Sequence, residues 1–391
     1  MVRRAEAAAV VKKFLFILAI SFFYSSVSFA QDIPSDELQA RINTYFDNFG
    51  VIVIYPSIDY TKKLSDNTSV SARYLTDIIS AASMKSHFNV DGVTSATSRT
   101  EGGADNTPDE WRHEFGLGVT QRLGEGIVSL NGLYSIEHDY SSRSGFISLT
   151  YPFANKNTYL TLGGSVSLDK VFPQTRTWTK DENTYSFNVA FSQILSKNII
   201  TQIDASYIDV NGYQQDGYQI VQIYNDKQGA FINYEPVLPD RRIRRAVGIR
   251  TNIGITDKIT FQPGYRYYWD TWNINSNTFY GILSKNFSDI FSASLEYRQY
   301  FQTKAFFFQP YYLQPEEYMS VEGNQNSGYS NEINIKGTLK GKKDNFFLTN
   351  ENIQLLSSIG FYKRHYDSPD WHSGYLNLYS FLFSLGIRYH L

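Results

Sequence analysis

The sequence contains no cysteine among its 391 residues. Disulfide bonds, thiolate metal sites and cysteine nucleophiles are therefore excluded together. Long apolar runs are also missing, because no stretch beyond the N-terminal region offers the roughly 20 continuous apolar residues of a transmembrane helix. Neither sign of charge is in excess: 36 Lys and Arg stand against 38 Asp and Glu, a formal net charge of −2. That balance argues against nucleic-acid binding.

Aromatic side chains, in contrast, are abundant. The chain has 30 Tyr and 28 Phe, and aromatic residues make up 16% of it, while its mean hydropathy is only −0.34. This combination is typical of a membrane-spanning β-barrel, in which alternate residues face lipid and aromatic residues gather at both interfaces. On composition alone, a large soluble β-sandwich or solenoid is the alternative.

The N-terminal region has the form of an export signal. Four basic residues precede an apolar run over residues 14–27, and Ser28-Phe29-Ala30 has the small-x-small form of a cleavage site. We therefore predict a signal peptide over residues 1–30 with Sec-type export and cleavage between Ala30 and Gln31, a short periplasmic segment over 31–36, and a barrel over 37–391. A single membrane anchor is the weaker alternative, because the run is short for a span. Without cysteine, lipid anchoring is excluded.

The end of the chain shows the clearest strand pattern. Apolar residues occupy every second position up to the last residue, while small or polar residues occupy most of the others. A period of two is that of an extended strand. In an outer-membrane barrel the last strand must close against the first, and its aromatic end serves as a signal for the barrel-assembly machinery. We assign that signal to Phe383, Leu385, Ile387, Tyr389 and Leu391.

The same period of two recurs after residue 36, with connections that alternate between short and long. The pattern predicts about sixteen antiparallel strands in an up-and-down transmembrane barrel, with both termini on the periplasmic side and the long loops outside. The first strand, Leu38–Phe46, is weak, and a helix over Asp36–Asn48 is the alternative. Pro56 and Pro263 lie inside predicted strands, so we expect bulges or irregular pairing there. Three long outer segments are predicted: Ser80–Glu110, Asn211–Arg242 and Thr303–Tyr329.

When the apolar parity of each strand is assigned to lipid, the opposite parity faces the lumen. That parity carries nearly all charges in the middle of the strands, as expected if charge on the lipid face costs about 2–4 kcal/mol for each Arg or Lys. Either these charges line an aqueous path, or they pair with one another and with inserted loops. Charges of opposite sign at matched depths, Arg266 with Asp270 and Glu296 with Arg298, favour pairing. The predicted lumenal residues are Arg73, Asp77, Arg112, Glu114, Glu137, Asp204, Arg244, Arg250, Gln262, Arg266, Asp270, Glu296, Arg298, Glu332, Lys336, Arg364 and Arg388.

Further motifs point to the ends of the strands. In QPGYRYYWDTWNI (262–274), Tyr265, Tyr267 and Trp269 fall on the lipid parity and predict an interface girdle. The run Arg241–Arg245 is basic and predicts attraction to lipopolysaccharide phosphate, with simple solvation as the alternative. The aromatic segment 306–312 is either an external carbohydrate platform or a strand end packed on loops.

Catalytic and metal-binding patterns are weak. None of the six His has a metal-ligand spacing such as His-Glu-x-x-His. His138-Asp139 near Ser141 and Ser142 is the only hint of a hydrolase, and nothing else supports a triad. The sequence predicts no cofactor, no metal and no enzymatic activity.

Five stretches, in order along the chain, resemble a family of uncharacterised bacterial outer-membrane proteins, the domain of unknown function 3570. The resemblance implies a single-chain barrel and brings no activity or catalytic residue. The chain departs from the usual barrel ending, which is Phe or Trp, because it ends in Leu391, although Tyr389 keeps an aromatic near the end. The stretches are SVSARYLTDIISAAS (69–83), SQILSKN (192–198), YEPVLPDRR (234–242), YRYYWDTWNI (265–274) and EYRQY (296–300).

The expected function is passage or gated transport of small solutes across the outer membrane. The alternative is a non-conducting barrel that serves a structural or partner-binding role in an envelope assembly, and an outer-membrane enzyme is a distant third. The expected partners are outer-membrane lipid and lipopolysaccharide, the barrel-assembly machinery and an envelope protein of unknown identity, and not nucleic acid.

Overall fold

The computed structural model describes residues 33–81, 110–343, 348–367 and 377–391. The predicted signal peptide and its cleavage site lie outside these ranges, as does most of the segment Ser80–Glu110. Within them, no helix is long and apolar enough to cross a membrane.

The fold is a closed antiparallel β-barrel of sixteen strands with one additional hairpin, β10–β11, in the outer segment between β9 and β12. The predicted strand count is confirmed, and the soluble sandwich is not observed. Helix in the described residues is limited to one 3-10 turn, Gly323–Gln325. The strands are β1 Glu37–Asp47, β2 Val51–Ser65, β3 Thr68–Ala81, β4 Glu110–Leu123, β5 Gly126–Ile136, β6 Tyr140–Phe153, β7 Thr158–Val171, β8 Lys180–Ser196, β9 Ile199–Gly212, β10 Val221–Asn225, β11 Ala230–Tyr234, β12 Arg241–Thr256, β13 Ile259–Asp270, β14 Asn275–Asn286, β15 Phe291–Gln302, β16 Gly328–Lys340, β17 Ile353–Tyr366 and β18 Asn377–His390.

The barrel closes where the sequence predicts. β1 pairs with β18 from Glu37 opposite His390 to Asp47 opposite Ser380, without a shift in register. The segment Asp36–Asn48 is therefore a strand and not a helix. The apolar face of β1 is short, so its strand pattern is weak when read by itself. In the barrel this face packs beside the aromatic face of β18, as in the edge-to-face contact of Phe46 with Phe383, whose ring centres are 6.2 Å apart.

A tight outer turn at Asn48-Phe49-Gly50 joins β1 to β2. The Asp47 carboxylate accepts hydrogen bonds from the backbone N–H groups of Phe49 at 2.9 Å and Val51 at 3.0 Å. Gly50 has a φ of +80°, a conformation that a residue with a Cβ rarely adopts. The local sequence thus fixes the reversal that sets the register of the first hairpin.

The two strand prolines interrupt pairing without a register shift. Opposite β3, the pairing of β2 is missing at Tyr55 and Pro56 and resumes in the same register. Opposite β12, the pairing of β13 is missing at Gln262 and Pro263 and resumes likewise. The expected irregular pairing is confirmed, and it arises because proline has no N–H to donate to the ladder.

Large apolar side chains cover the outer surface of the barrel. Leu117 is 72% exposed, Leu385 68% and Ile359 56%, and the apolar residues of neighbouring strands continue this surface. An exposed apolar surface of this extent is stable against lipid and not against water. The fold is therefore a transmembrane barrel of the bacterial outer-membrane type.

Candidate functional site: the lumen and its outer mouth

The structure places the predicted lumenal charges on the inner side of the wall. All of them except Lys336, whose side chain is 55% exposed, are buried or half-buried, whereas the apolar residues on the opposite parity of the same strands are largely exposed. Asp77, on β3, is fully buried at 0% exposure. Their inward direction follows from the two-residue period of each strand.

Arg112 is the centre of an ion-pair cluster on the inner face of β3, β4 and β5. Its guanidinium lies 3.2 Å from Glu114, 3.7 Å from Glu137 and 3.9 Å from Asp77. Glu114 also lies 3.9 Å from Arg73, which belongs to β3. One arginine is thus surrounded by three carboxylates, and this part of the wall has more acid than base.

The predicted ion pair between Arg266 and Asp270 is wrong. Asp270 instead forms a salt bridge with Arg242 of β12 at 2.5 Å, and both side chains are nearly inaccessible. Four residues along a strand span about 13 Å, whereas Arg242 is the diagonal cross-strand neighbour of Asp270, and such neighbours lie only about 7–8 Å apart. Cross-strand neighbours therefore take the pairing positions.

The second predicted pair, Glu296 with Arg298, is also wrong, because each of the two side chains pairs with a residue of β16. Glu296 accepts a hydrogen bond from Lys336 at 2.8 Å, and Arg298 lies 3.4 Å from Glu332. Both contacts join β15 to β16. The prediction that lumenal charges pair with one another is confirmed. Which residues pair depends on the register between strands, and the charge pattern alone does not give that register.

A wall of hydroxyl groups lines the lumen at β5–β8, a feature that the charge pattern did not predict. Ser142 and Ser167 donate hydrogen bonds to the same oxygen of Asp169, at 2.6 and 2.7 Å. Ser144 lies 2.9 Å from Ser167, oxygen to oxygen. The sequence signal is serine or threonine at most of the alternate positions of SSRSGFISLT and LTLGGSVSLD.

Charge of opposite sign dominates the two halves of the inner wall. Acids outnumber bases on β1–β9, and bases outnumber acids on β12–β18. In the first half, the inward acids are Glu37, Asp47, Asp59, Asp77, Glu114, Glu137, Asp169, Glu182 and Asp204, and the inward bases are Arg41, Lys63, Arg73, Arg112, Arg122 and Lys180. In the second half, the inward bases are Arg242, Arg244, Arg250, Arg266, Arg298, Lys336, Lys340, Arg364 and Arg388, and the inward acids are Asp270, Glu296 and Glu332.

The lumen is not polar throughout. Near the outer ends of β1–β3, the buried residues Tyr45, Val51, Val53, Tyr55 and Leu75 form an apolar cluster on the inward parity. The expectation of a wholly polar inner face is therefore corrected here. The stretch Val51–Tyr55 is apolar on both parities, so the two-residue period does not separate its inner from its outer side chains.

The segment between β15 and β16, residues 303–327, which we term the mouth loop, is bonded to inward-facing groups at the outer ends of the strands beside it. Asn324 of this loop accepts hydrogen bonds from the inward-facing side chains of Arg364, at 2.9 Å, and Tyr366. On the β15 side, the Gln302 amide donates to the carbonyls of Asn324, at 2.9 Å, and Asn326. The loop is thus bonded to inward groups on both β15 and β17.

The aromatic part of the mouth loop packs on other outer segments. Phe307 and Phe308 are each 4% exposed and cluster with Trp272 and Leu238. Met319 exchanges two backbone hydrogen bonds with Val237, at 2.9 and 2.7 Å. The prediction that segment 306–312 packs on loops is confirmed for these phenylalanines, and they are not available as an open platform.

The basic run Arg241–Arg245 is divided between the two faces of β12. Arg241 points outward and forms two hydrogen bonds with Asp209, at 3.0 and 2.7 Å. Arg242, which the run led us to place outside, points inward to Asp270. Arg245 points outward and lies 5.8 Å from the ring centre of Tyr207. Arg242 and Arg244 lie on the same parity of β12, and Arg244 was already predicted to face the lumen, so the sequence pattern contained the signal that Arg242 also points inward.

The predicted interface girdle lies beside this outward surface. Tyr267 and Trp269 stack with ring centres 5.6 Å apart, and the Tyr265 hydroxyl donates to Asn277 at 2.7 Å. Aromatic rings with one polar end suit the level of the lipid headgroups.

The described residues contain no group of three or more His, Cys, Asp and Glu side chains arranged to hold a metal ion. Asp139, which follows His138, is buried and accepts a hydrogen bond from the Tyr218 hydroxyl at 2.8 Å.

Comparison with known proteins gives one family match. The family described as "Protein of unknown function (DUF3570)" matches residues 25–330. Among curated protein sequences there is no match.

Several solved structures have a similar overall shape. A bacterial polysaccharide outer-membrane secretin is 10% identical, with 92% of this chain and 100% of that chain covered and a TM-score of 0.48. OprD of Pseudomonas aeruginosa is 9% identical, with 90% and 94% covered and a TM-score of 0.45. OpdK of the same organism, solved with vanillate, is 9% identical, with 91% and 97% covered and a TM-score of 0.44.

Proposed function

We propose that this chain, which belongs to the family described as "Protein of unknown function (DUF3570)", is an outer-membrane channel for small solutes whose outer mouth is narrowed by the mouth loop. The observation that carries the proposal is the closed ring of sixteen strands with charged and hydroxylated side chains on its inner face. A barrel of this strand number is wide enough to enclose an aqueous path. A polar inner face keeps such a path hydrated.

The mouth loop supports a narrow or gated path over a wide one. Its hydrogen bonds to Gln302, Arg364 and Tyr366 hold it against the inside of the wall. The proposal assigns no catalytic role to the chain. Signal-peptide cleavage between Ala30 and Gln31, delivery by the barrel-assembly machinery, and lipopolysaccharide around the outer rim belong to the same proposal.

A second candidate function is a non-conducting barrel that binds a partner in an envelope assembly. The apolar cluster of Tyr45, Val51, Val53, Tyr55 and Leu75 on the inner side favours it, because apolar residues there reduce the hydrated cross-section. The two functions differ in one measurable property, the passage of ions.

Planar lipid bilayers distinguish the two. We expect the purified, folded protein to give discrete conductance steps on repeated insertion. The matched control is the same protein after heat denaturation, which should give none. Repeated insertions of folded protein without a conductance step reject the channel and leave the non-conducting barrel.

A further inference from the structure

The separation of charge between the two halves of the inner wall points to a class of solute. We propose that the lumen favours dipolar solutes, small zwitterions that carry a positive and a negative group on the same molecule. This inference rests on the proposed channel function. It is carried by the acid-rich inner face of β1–β9 and the base-rich inner face of β12–β18.

The two kinds of charge face each other across the lumen. Because sixteen strands close the ring, β7 lies opposite β17, and β5 lies opposite β15. Asp169 on β7 thus stands across from Arg364 on β17, each near the outer end of its strand. The Arg112 cluster on β3–β5 stands across from the strands that carry Arg266 and Arg298.

Neutral groups hold several arginines of the basic half in place. Arg250 donates to the amide oxygen of Gln202 at 2.9 Å, and Arg364 donates to the amide oxygen of Asn324 at 2.9 Å. Arg388 donates to the amide oxygen of Gln39 at 3.0 Å. Such bonds orient a guanidinium through neutral groups, and Arg388 also forms a salt bridge with Glu37 of the acid-rich half at 3.1 Å.

The opposite half keeps an excess of carboxylate around its arginines. Arg112, a single arginine, contacts three carboxylates, those of Asp77, Glu114 and Glu137. Fixed charges on low-dielectric walls focus the electric field into the space between them. A solute with one charge is attracted by one half and repelled by the other, whereas a zwitterion aligned across the lumen is attracted by both.

The hydroxyl wall of β5–β8 suits the same solutes. Ser142, Ser144, Ser167 and neighbouring threonines offer both donors and acceptors to the uncharged part of a small polar molecule. This surface replaces water contacts and gives no preference for either sign of charge.

The test compares two isomers, alanine and lactamide, which contain the same atoms but differ in charge distribution. Alanine is a zwitterion at neutral pH and lactamide is uncharged. We expect proteoliposomes with the wild-type chain to swell several-fold faster in alanine than in lactamide. Equal rates, or faster entry of lactamide, overturn the inference and leave the channel intact, whereas no swelling in either solute rejects the channel itself.

Two double variants test whether the charge separation causes the preference for alanine over lactamide. In Arg266→Gln with Arg298→Gln, alanine entry should fall toward the lactamide rate while lactamide entry stays unchanged. Glu182→Gln with Asp204→Asn tests the acidic half in the same way. The matched control is Lys363→Gln, which removes one positive charge from the outward face of β17 and should leave the ratio unchanged. A ratio unaffected in both folded double variants contradicts the proposal.

Discussion

Deletion of Tyr389–Leu391 should abolish the folded barrel in the outer membrane. These residues form the periplasmic end of the closing strand, where Tyr389 pairs with Leu38 of β1 and with Ile353 of β17. Their loss also removes the backbone hydrogen bond from Leu391 to Asp36 at 3.1 Å. A barrel that fails to close has two exposed strand edges in lipid, where each unsatisfied backbone group costs several kcal/mol.

Heat-modifiable migration on gels of the outer-membrane fraction measures this effect. The wild-type chain should show separate folded and unfolded bands, and the truncated chain should be absent from the fraction or show only the unfolded band. The control Leu391→Phe keeps the strand length and should assemble normally. A truncated chain that gives the folded band in the outer membrane would contradict the role assigned to the closing strand.

Arg242→Ala should produce the second large effect, a loss of about 3–5 kcal/mol in unfolding free energy, because removing one partner of a buried ion pair leaves the other charge buried. The Arg242 guanidinium lies 2.5 Å from Asp270 and 4.0 Å from the ring centre of Trp272. Asp270 in turn accepts backbone hydrogen bonds from Trp272 at 2.9 Å and Ile274 at 3.0 Å. The substitution therefore disturbs the whole turn between β13 and β14.

Urea unfolding in lipid vesicles, followed by tryptophan fluorescence, measures the loss, and Trp272 reports on the site itself. Arg241→Ala is the matched control, because Arg241 is the next residue but pairs with Asp209 at the exposed rim. Its effect should be clearly smaller, since exposed ion pairs contribute little. Equal losses of unfolding free energy in the two variants would contradict the stabilising role assigned to the buried Arg242–Asp270 pair.

The sequence was sufficient to predict the barrel but not the contacts inside it. The period of two in residues such as Phe381, Phe383 and Leu385 identifies strands and their lipid face because successive side chains must alternate. The prediction of the first strand depended on β18, because the barrel needs an even number of strands and its last strand needs a partner. Both inferences depend on local geometry and closure alone.

Side-chain pairing required the register between strands, which is not readable from one strand. Asp270 pairs with Arg242, twenty-eight positions away, and not with Arg266 on its own strand. The inward direction of Val51 and Val53 was hidden because both parities there are apolar. The path of the mouth loop depends on contacts between distant segments, such as Met319 with Val237, that no local pattern encodes.

The measurement that tests the account most directly is the size limit for neutral solutes, with and without the mouth loop. Gln302 and Gly328 are paired neighbours at the ends of β15 and β16, so a short Gly-Ser linker can replace residues 304–326 without straining either strand. The same linker in place of residues 226–229, at the tip of the β10–β11 hairpin, is the control. Both variants should first show the folded band on gels.

In proteoliposome swelling with neutral sugars of increasing size, the wild-type chain and the hairpin control should admit only small solutes. The variant without the mouth loop should admit larger ones and swell faster in all of them. An unchanged size limit, or no swelling in any of the three proteins, would contradict a channel narrowed by this loop.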